Sequence, residues 1–496
     1  MDSAPMNIRA AFCRSLVRRR TRQPRRSAGK GRLPACATCF FLSLLSCHGD
    51  QAENTDSATS GPKPGVCYAM APEVGGPCAP YGVIATGVYH TCALLVGGRI
   101  RCWGDNDHGQ LGLGNVIRIG DDETPESAPP LDLGEAAIQL AAGFQHTCAL
   151  TESGRIFCWG EGSGGRLGHG NSMDIGDDEL PASAGPVPLD GTALQVAAGW
   201  LHTCALMSDG SVRCWGAGQF GKLGTGTSED IGDDETPASQ APIDLGGRAV
   251  YIAASRDHTC AVLDAGGVIC WGLGENGQLG RGNTDNIGDD ETPGSVGPID
   301  VGAAVTHVAV GSFHTCALTV GGAVKCWGSN GNGMLGSGNG YLEMIGDDEP
   351  PSATGVVSLG RPSVAIAAGG GSTCALLDDG TLMCWGVNSY GELGYGSTHC
   401  IGADDVPSDF GAIAVGGSAV QVSVGDGHAC ALLVDASIRC WGEAVLGALG
   451  YANTGDYQVE GSTCQSTGDF FVCDVDPVCC IGDIPGEMPP PPVQYQ

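Results

Sequence analysis

A His-Thr-Cys triplet returns along this chain with a step that almost never changes, and that step limits the fold more than any other feature. His90-Thr91-Cys92 is followed by His146-Thr147-Cys148, His202-Thr203-Cys204, His258-Thr259-Cys260, His314-Thr315-Cys316, Ser372-Thr373-Cys374 and His428-Ala429-Cys430. The interval is 56 residues, except for one of 58 between the fifth and sixth copies. Ten residues beyond each of these cysteines stands another, followed by Trp-Gly. Seven copies of one unit call for a repeat architecture, in which each unit buries its apolar face only against its neighbours.

Within a copy the elements read as short strands. The run from Ile138 to Gly143 alternates and ends in small residues, as do Leu194 to Gly199, Val364 to Gly369 and Val420 to Gly425, which predicts a tightly packed inner strand. The His-Thr-Cys and Cys-Trp-Gly segments then form a hairpin. Gly98, Gly154, Gly210, Gly266, Gly322 and Gly380 hold one position of its loop, where positive φ is expected. Antiparallel pairing brings the two cysteines of each hairpin opposite each other, close enough for a disulfide. The expected pairs are Cys92 with Cys102, Cys148 with Cys158, Cys204 with Cys214, Cys260 with Cys270, Cys316 with Cys326, Cys374 with Cys384 and Cys430 with Cys440. Every copy also carries Gly-x-Leu-Gly, from Gly109 to Gly112 in the first and Gly447 to Gly450 in the last. No stretch has helical periodicity, so an all-β, seven-bladed β-propeller of four-stranded blades is the expected fold.

Gly-x-Leu-Gly, then Pro and an apolar strand, then Ala-Gly-x-x-His-Thr and a closing Trp-Gly resemble the regulator of chromosome condensation repeat family. The resemblance runs from about Val83 to the C-terminus and implies a seven-bladed propeller. The family includes secreted bacterial members, one of which inhibits β-lactamases, so the fold alone does not imply guanine nucleotide exchange. The first copy begins at its inner strand, Val83 to Gly87, without the outer strand that precedes the inner strand elsewhere, such as Pro129 to Leu133. Pro490 to Tyr495 stands in the register of that missing strand. It is therefore expected to complete the blade of Cys92 and Cys102 and close the ring.

The net charge of −31 is unevenly placed: ten of the 24 basic residues precede Pro34, and 54 of the 55 acidic ones follow Cys47. After the leader, fourteen bases face 54 acids, a net of −40. Such a surface repels phosphate, so nucleic acid is not an expected partner. The basic opening, with Arg18, Arg19 and Arg20, precedes an apolar stretch from Ala35 to Ser46 that is too short to span a bilayer. That order of parts is a secretory signal. Leu44-Leu45-Ser46-Cys47 resembles a lipoprotein cleavage box with Cys47 as the lipidated residue. Residues 1–47 are thus read as the signal, 48–82 as a tether, and 83–496 as the propeller, with an insertion at 451–480. Export suits cysteines used as disulfides. The pairing of Cys67, Cys78, Cys400, Cys464, Cys473, Cys479 and Cys480 stays open, with Cys67 to Cys78 and Cys400 to Cys480 as candidates.

Three motifs invite chemical readings. Asp121-Asp122-Glu123 returns as Asp177-Asp178-Glu179, Asp233-Asp234-Glu235, Asp289-Asp290-Glu291 and Asp347-Asp348-Glu349. These are candidate calcium ligands, although three acids supply only part of a six- to eight-oxygen shell and also cap turns. The recurring histidine beside a cysteine suggests zinc, but each cysteine has a hairpin mate, so a structural hydrogen bond is expected. Gly160, Gly162 and Gly165 match a dinucleotide fingerprint without the helix it requires. The middle glycine exchanges with Asn106, Asn330 or Asn388 elsewhere, which predicts left-handed backbone there. No zincin pair, P-loop or nucleophile elbow is present, and no cofactor other than calcium is indicated.

The expected function is non-catalytic: a monomeric binding propeller, exported and displayed on a bacterial envelope as an outer-membrane lipoprotein or at the cell surface, or released from the cell. Its ligand would be a protein, peptide or glycan, and it would touch the membrane only through its lipid anchor. A guanine nucleotide exchange factor-like regulator and an inhibitor of an envelope hydrolase are the alternatives.

Overall fold

The computed structural model describes residues 83–340, 343–452, 464–466, 471–473, 480–481 and 492–493. Cys47, Cys67, Cys78 and Cys479 lie outside these residues, as do the leader and the tether. The structure describes only the backbone at Cys464, Cys473 and Cys480, while Cys400 is buried.

Each copy builds an antiparallel sheet around three strands, and Cys480–Ile481 adds a short fourth to the last. In the second copy these are an inner strand Ala137–Ala142, a middle strand His146–Thr151 and an outer strand Ile156–Gly160. The same order recurs in the other six copies. Every middle strand is buried along its whole length, which explains its continuous run of small and apolar residues. Its Cys faces the Cys of the outer strand in direct register. All seven pairs are bonded, with Cα atoms 4.0 to 4.1 Å apart. The hairpin-loop glycines have φ between 74° and 84°, and Ala436 takes the same conformation in the seventh copy at 67°.

The expected fourth strand is reduced to a single bridge. Leu131 N donates to Ile100 O at 2.7 Å and Ile100 N to Leu131 O at 3.0 Å, and no ladder continues from there. Pro129 and Pro130 just before it have no amide hydrogen to extend the pairing. The bridge also corrects the phase of the repeat: Leu131 pairs with its own hairpin, not with the following inner strand. Val187 to Ile156, Ile243 to Val212, Val357 to Val324 and Ile413 to Leu382 repeat it.

Closure by the C-terminal strand is corrected for the same reason. Val493 N donates to Ile438 O at 2.9 Å, in the last sheet, whereas Leu131 already fills that place in the blade of Cys92 and Cys102. The insertion returns to the expected register, since Ile481 bridges Gly442 as Ile401 bridges Gly386.

The seventh sheet nevertheless stands beside the first, joined by bonds of the same kind that link consecutive copies. Gln139 exchanges two hydrogen bonds with the backbone of Val196, Gln195 with Ile252, and Gln421 with Ile84. After the Gly-x-Leu-Gly of six copies, an amide donates to the glycine of the next copy's acidic loop. Gly114 N bonds Gly176 O, Gly170 N bonds Gly232 O, and Ala452 N in the last copy bonds Gly120 O in the first. At the axis, glycines end or follow six of the seven inner strands, with Ser255 in the other, and little room is left for a Cβ. One on Gly143 would lie 2.4 Å from Gly199 O, and one on Gly425 would lie 2.3 Å from Gly87 O. Among the described residues, no helix is long and apolar enough to cross a membrane.

Candidate functional site

The repeated polar residues are assembled between copies, and most of them serve the fold. Seven tryptophans, one behind each outer-strand cysteine, are fully buried. Six donate their indole N–H to the backbone carbonyl of the second residue in the preceding copy's Gly-x-Leu-Gly, as Trp159 does to Gln110 O at 2.9 Å and Trp103 to Ala448 O at 3.0 Å. The threonine of the triplet gives its hydroxyl hydrogen to that same carbonyl: Thr147 to Gln110 O at 2.9 Å, Thr91 to Ala448 O at 3.0 Å. One oxygen thus uses both lone pairs.

Because the threonine hydrogen is committed, its oxygen accepts from the histidine of the copy before. His90 Nε2 lies 2.8 Å from Thr147 Oγ1, His146 3.0 Å from Thr203, His202 2.8 Å from Thr259, His258 2.8 Å from Thr315 and His314 2.7 Å from Thr373. His428 reaches Thr91 at 2.9 Å. The expected structural role of the histidines is thus met across a junction rather than within a turn. At the remaining junction both partners are replaced together, by Ser372 and Ala429. Burial keeps the imidazoles neutral, at about 3 for His90 and His258 and about 4 for His314 and His428. It also holds His146 and His202 well below the usual range, with some help from Arg166 and Lys222.

The exchange of Gly162 with Asn106 and Asn330 does not reflect left-handed backbone, since φ is −93° at Gly162 and −103° at Asn330. It reflects two ways of pinning one loop. Asn106 Nδ2 donates to Asn115 O and Ile117 O. In the glycine copies the loop backbone moves into that space, with Met173 O 2.0 Å from where a Cβ on Gly162 would sit, and Asp174 Oδ1 accepts from Gly162 N.

The acidic triplets each bring three carboxylate oxygens within 4.8 Å of one another, in five copies. Burial, aided by a hydrogen bond the protonated carboxyl gives to the adjacent aspartate and by the charge of the triplet's aspartates, pushes Glu123 and Glu349 up to about 7. Glu179, Glu235 and Glu291 move the same way. A triplet near neutral pH therefore carries fewer than three full charges, and by itself it offers a hard cation only part of the oxygens it needs.

The residues that break the sevenfold pattern sit elsewhere, in the turns between inner and middle strands, where two residues precede each triplet. They are Val88-Tyr89, Phe144-Gln145, Trp200-Leu201, Arg256-Asp257, Ser312-Phe313, Gly370-Gly371 and Asp426-Gly427. Backbone bonds tie these turns to each other, such as Phe144 N to Trp200 O at 3.3 Å and Ser312 N to Gly370 O at 2.7 Å. Tyr89 meets Phe144 edge-on at 5.9 Å, and Phe144 stacks on Trp200 at 5.4 Å. The Arg256 guanidinium lies 4.5 Å from the Trp200 ring and 5.4 Å from that of Phe313. Asp257 receives Arg256 at 3.3 Å and the fully buried Lys222 ammonium at 2.9 Å. The sequence reading passed over these turns. The signal that marks them is variation at two positions inside an otherwise repeating unit, where the fold does not dictate the residue.

An RCC1-like domain model matches residues 55–398, and an RCC1 repeat model matches residues 379–432. The ultraviolet-B receptor UVR8 of Arabidopsis thaliana is 32% identical over 391 residues, 78% of this chain and 82% of that one. The human E3 ubiquitin-protein ligase HERC2 is 30% identical over 312 residues, 62% of this chain, which spans only 6% of HERC2. Yeast RCC1 (Prp20), solved bound to Kap60, superposes with a TM-score of 0.55 at 21% identity, covering 82% of this chain and 88% of that one. Human WBSCR16 also reaches 0.55 at 21% identity, over 69% of this chain and 83% of that one. With the domain model matched over more than half of its length and the seven sheets above, the chain belongs to the RCC1-like family of β-propellers.

Proposed function

We propose that the protein is a non-catalytic binding propeller, exported to a bacterial envelope and held there by lipid on Cys47. In this reading residues 48–82 are the tether and 83–496 carry the binding surface for a protein, peptide or glycan. The observation that carries it is the disulfide in every copy, because such bonds persist in oxidising compartments and are rare in the cytosol. Binding rather than catalysis is supported by the site itself: the buried histidines are all committed to threonines of neighbouring copies, and the variable turns present rings and charges without a nucleophile and base in bonding reach.

When the full chain is expressed in a Gram-negative bacterium with a labelled fatty acid, label is expected on the protein in the membrane fraction. Cys47→Ser should abolish the label and release oxidised protein into the periplasm. Surface cross-linking, with and without a calcium chelator, should then join the wild type to an envelope component. An unlabelled cytosolic protein with alkylatable blade thiols contradicts the reading.

A further inference from the structure

Tyr89, Phe144, Trp200, Arg256 and Phe313 form one arc of stacked groups contributed by copies one to five, each touching the next within 6 Å. The arc stops at copies six and seven, whose turns are Gly370-Gly371 and Asp426-Gly427. A side chain at Gly370 is excluded, since its Cβ would lie 2.7 Å from Asp426 Oδ1. The glycine leaves that space to the carboxylate.

The three charges in this ring of turns are not in the same situation. Arg256 lies between two rings and pairs with Asp257. Among the described residues Asp426 has no ion pair, and Arg256 acts on it only at a distance, while burial holds its carboxyl up to about 6. A carboxylate so placed is stabilised by a cation that comes to it.

The arc shows which cation fits, because Arg256 is itself a guanidinium laid on aromatic faces with a carboxylate at its edge. We propose that the gap at copies six and seven takes an arginine side chain from a peptide segment of a protein partner, paired with Asp426 and flanked by Phe313 and Tyr89. This rests on the binding-propeller reading and assigns its site and partner chemistry. The chain's net charge of −31 draws a cationic segment in and repels an acidic one. A planar guanidinium stacks and pairs at once, which an ammonium does not do as well.

Trp200 supplies a local probe. It is the eighth tryptophan, half-exposed in the arc, and the other seven are fully buried in the sheets. Fluorescein-labelled Gly-Arg-Gly-Arg-Gly should bind the full-length protein and change its tryptophan emission, and the emission change should vanish in Trp200→Phe. Asp426→Asn, which keeps the side-chain shape, should weaken binding at least tenfold with an unchanged melting curve. Asp264→Asn, the same charge change in an exposed hairpin loop, should stay within twofold. The inference is overturned if the arginine peptide does not bind, if both aspartate variants weaken it alike, or if Gly-Lys-Gly-Lys-Gly binds as tightly. Should any of these occur while surface cross-linking still captures an envelope component, only the site assignment falls.

Discussion

Unfolding of the protein at pH 5 should take up close to one proton at each of His90, His258, His314 and His428, and further protons at His146 and His202. An unfolded histidine titrates near 6.5, whereas His90, His258, His314 and His428 titrate at about 3 to 4 when folded, with His146 and His202 also well below 6.5. A base whose folded value is depressed stabilises the fold fully above 6.5. That contribution is lost as pH falls from 6.5 toward the folded value. Between pH 7 and pH 5 each of His90, His258, His314 and His428 is expected to remove about 2 kcal/mol.

Carboxyls work in the opposite sense. Glu392 and Asp426, raised to about 7 and 6 chiefly by burial, keep protons in the folded state that the unfolded chain releases, as do the triplet glutamates. The total slope is therefore a difference, and a single variant isolates the histidine part. His258→Gln keeps a donor toward Thr315, and between pH 7 and 5 it should lose about 2 kcal/mol less stability than the wild type. Parallel stability curves, measured by urea unfolding at each pH, would contradict the assignment of His258 as a buried neutral donor.

Opening the disulfides should have the largest effect of all. Each closes a hairpin of ten residues' separation, and constraining such a loop in the unfolded chain is worth roughly 3 kcal/mol at most. The net stability of a domain is only about 5 to 15 kcal/mol. Replacing Cys260 and Cys270 by alanine together should cost about 2 to 3 kcal/mol, and removing all seven pairs should leave a chain that does not fold at 25 °C. A seven-pair variant with the wild-type unfolding curve would show that the staples are dispensable.

Much of the fold is legible because the period and the ten-residue cysteine spacing are local. The spacing flanks one turn, so a hairpin with facing cysteines follows from Gly98 or Gly154 alone. The phase of the repeat is not local: Leu131 lies between two hairpins in sequence, and only the bond to Ile100 shows which sheet it joins. That ambiguity misplaced Pro490 to Tyr495 as well, since the first blade needed no borrowed strand. The partner of His90 was hidden for a similar reason, being 57 residues away on Thr147. The arc from Tyr89 to Phe313 is farther still from any motif, because its members meet only when five copies come around one axis.

The seventh sheet bonds to the first as the second bonds to the third, and two matched substitutions test that junction. The Thr203 hydroxyl bonds into the copy before it, to His146 and Arg166 O, and the Thr91 hydroxyl makes the same two bonds to His428 and Ala448 O in the last copy. Thr203→Val and Thr91→Val should therefore lower stability by the same amount, about 1 to 3 kcal/mol, as a buried donor and a carbonyl lose their partner. An open stack of seven copies would lose that amount at Thr203 and nothing at Thr91, and chemical denaturation of the two variants side by side separates the outcomes.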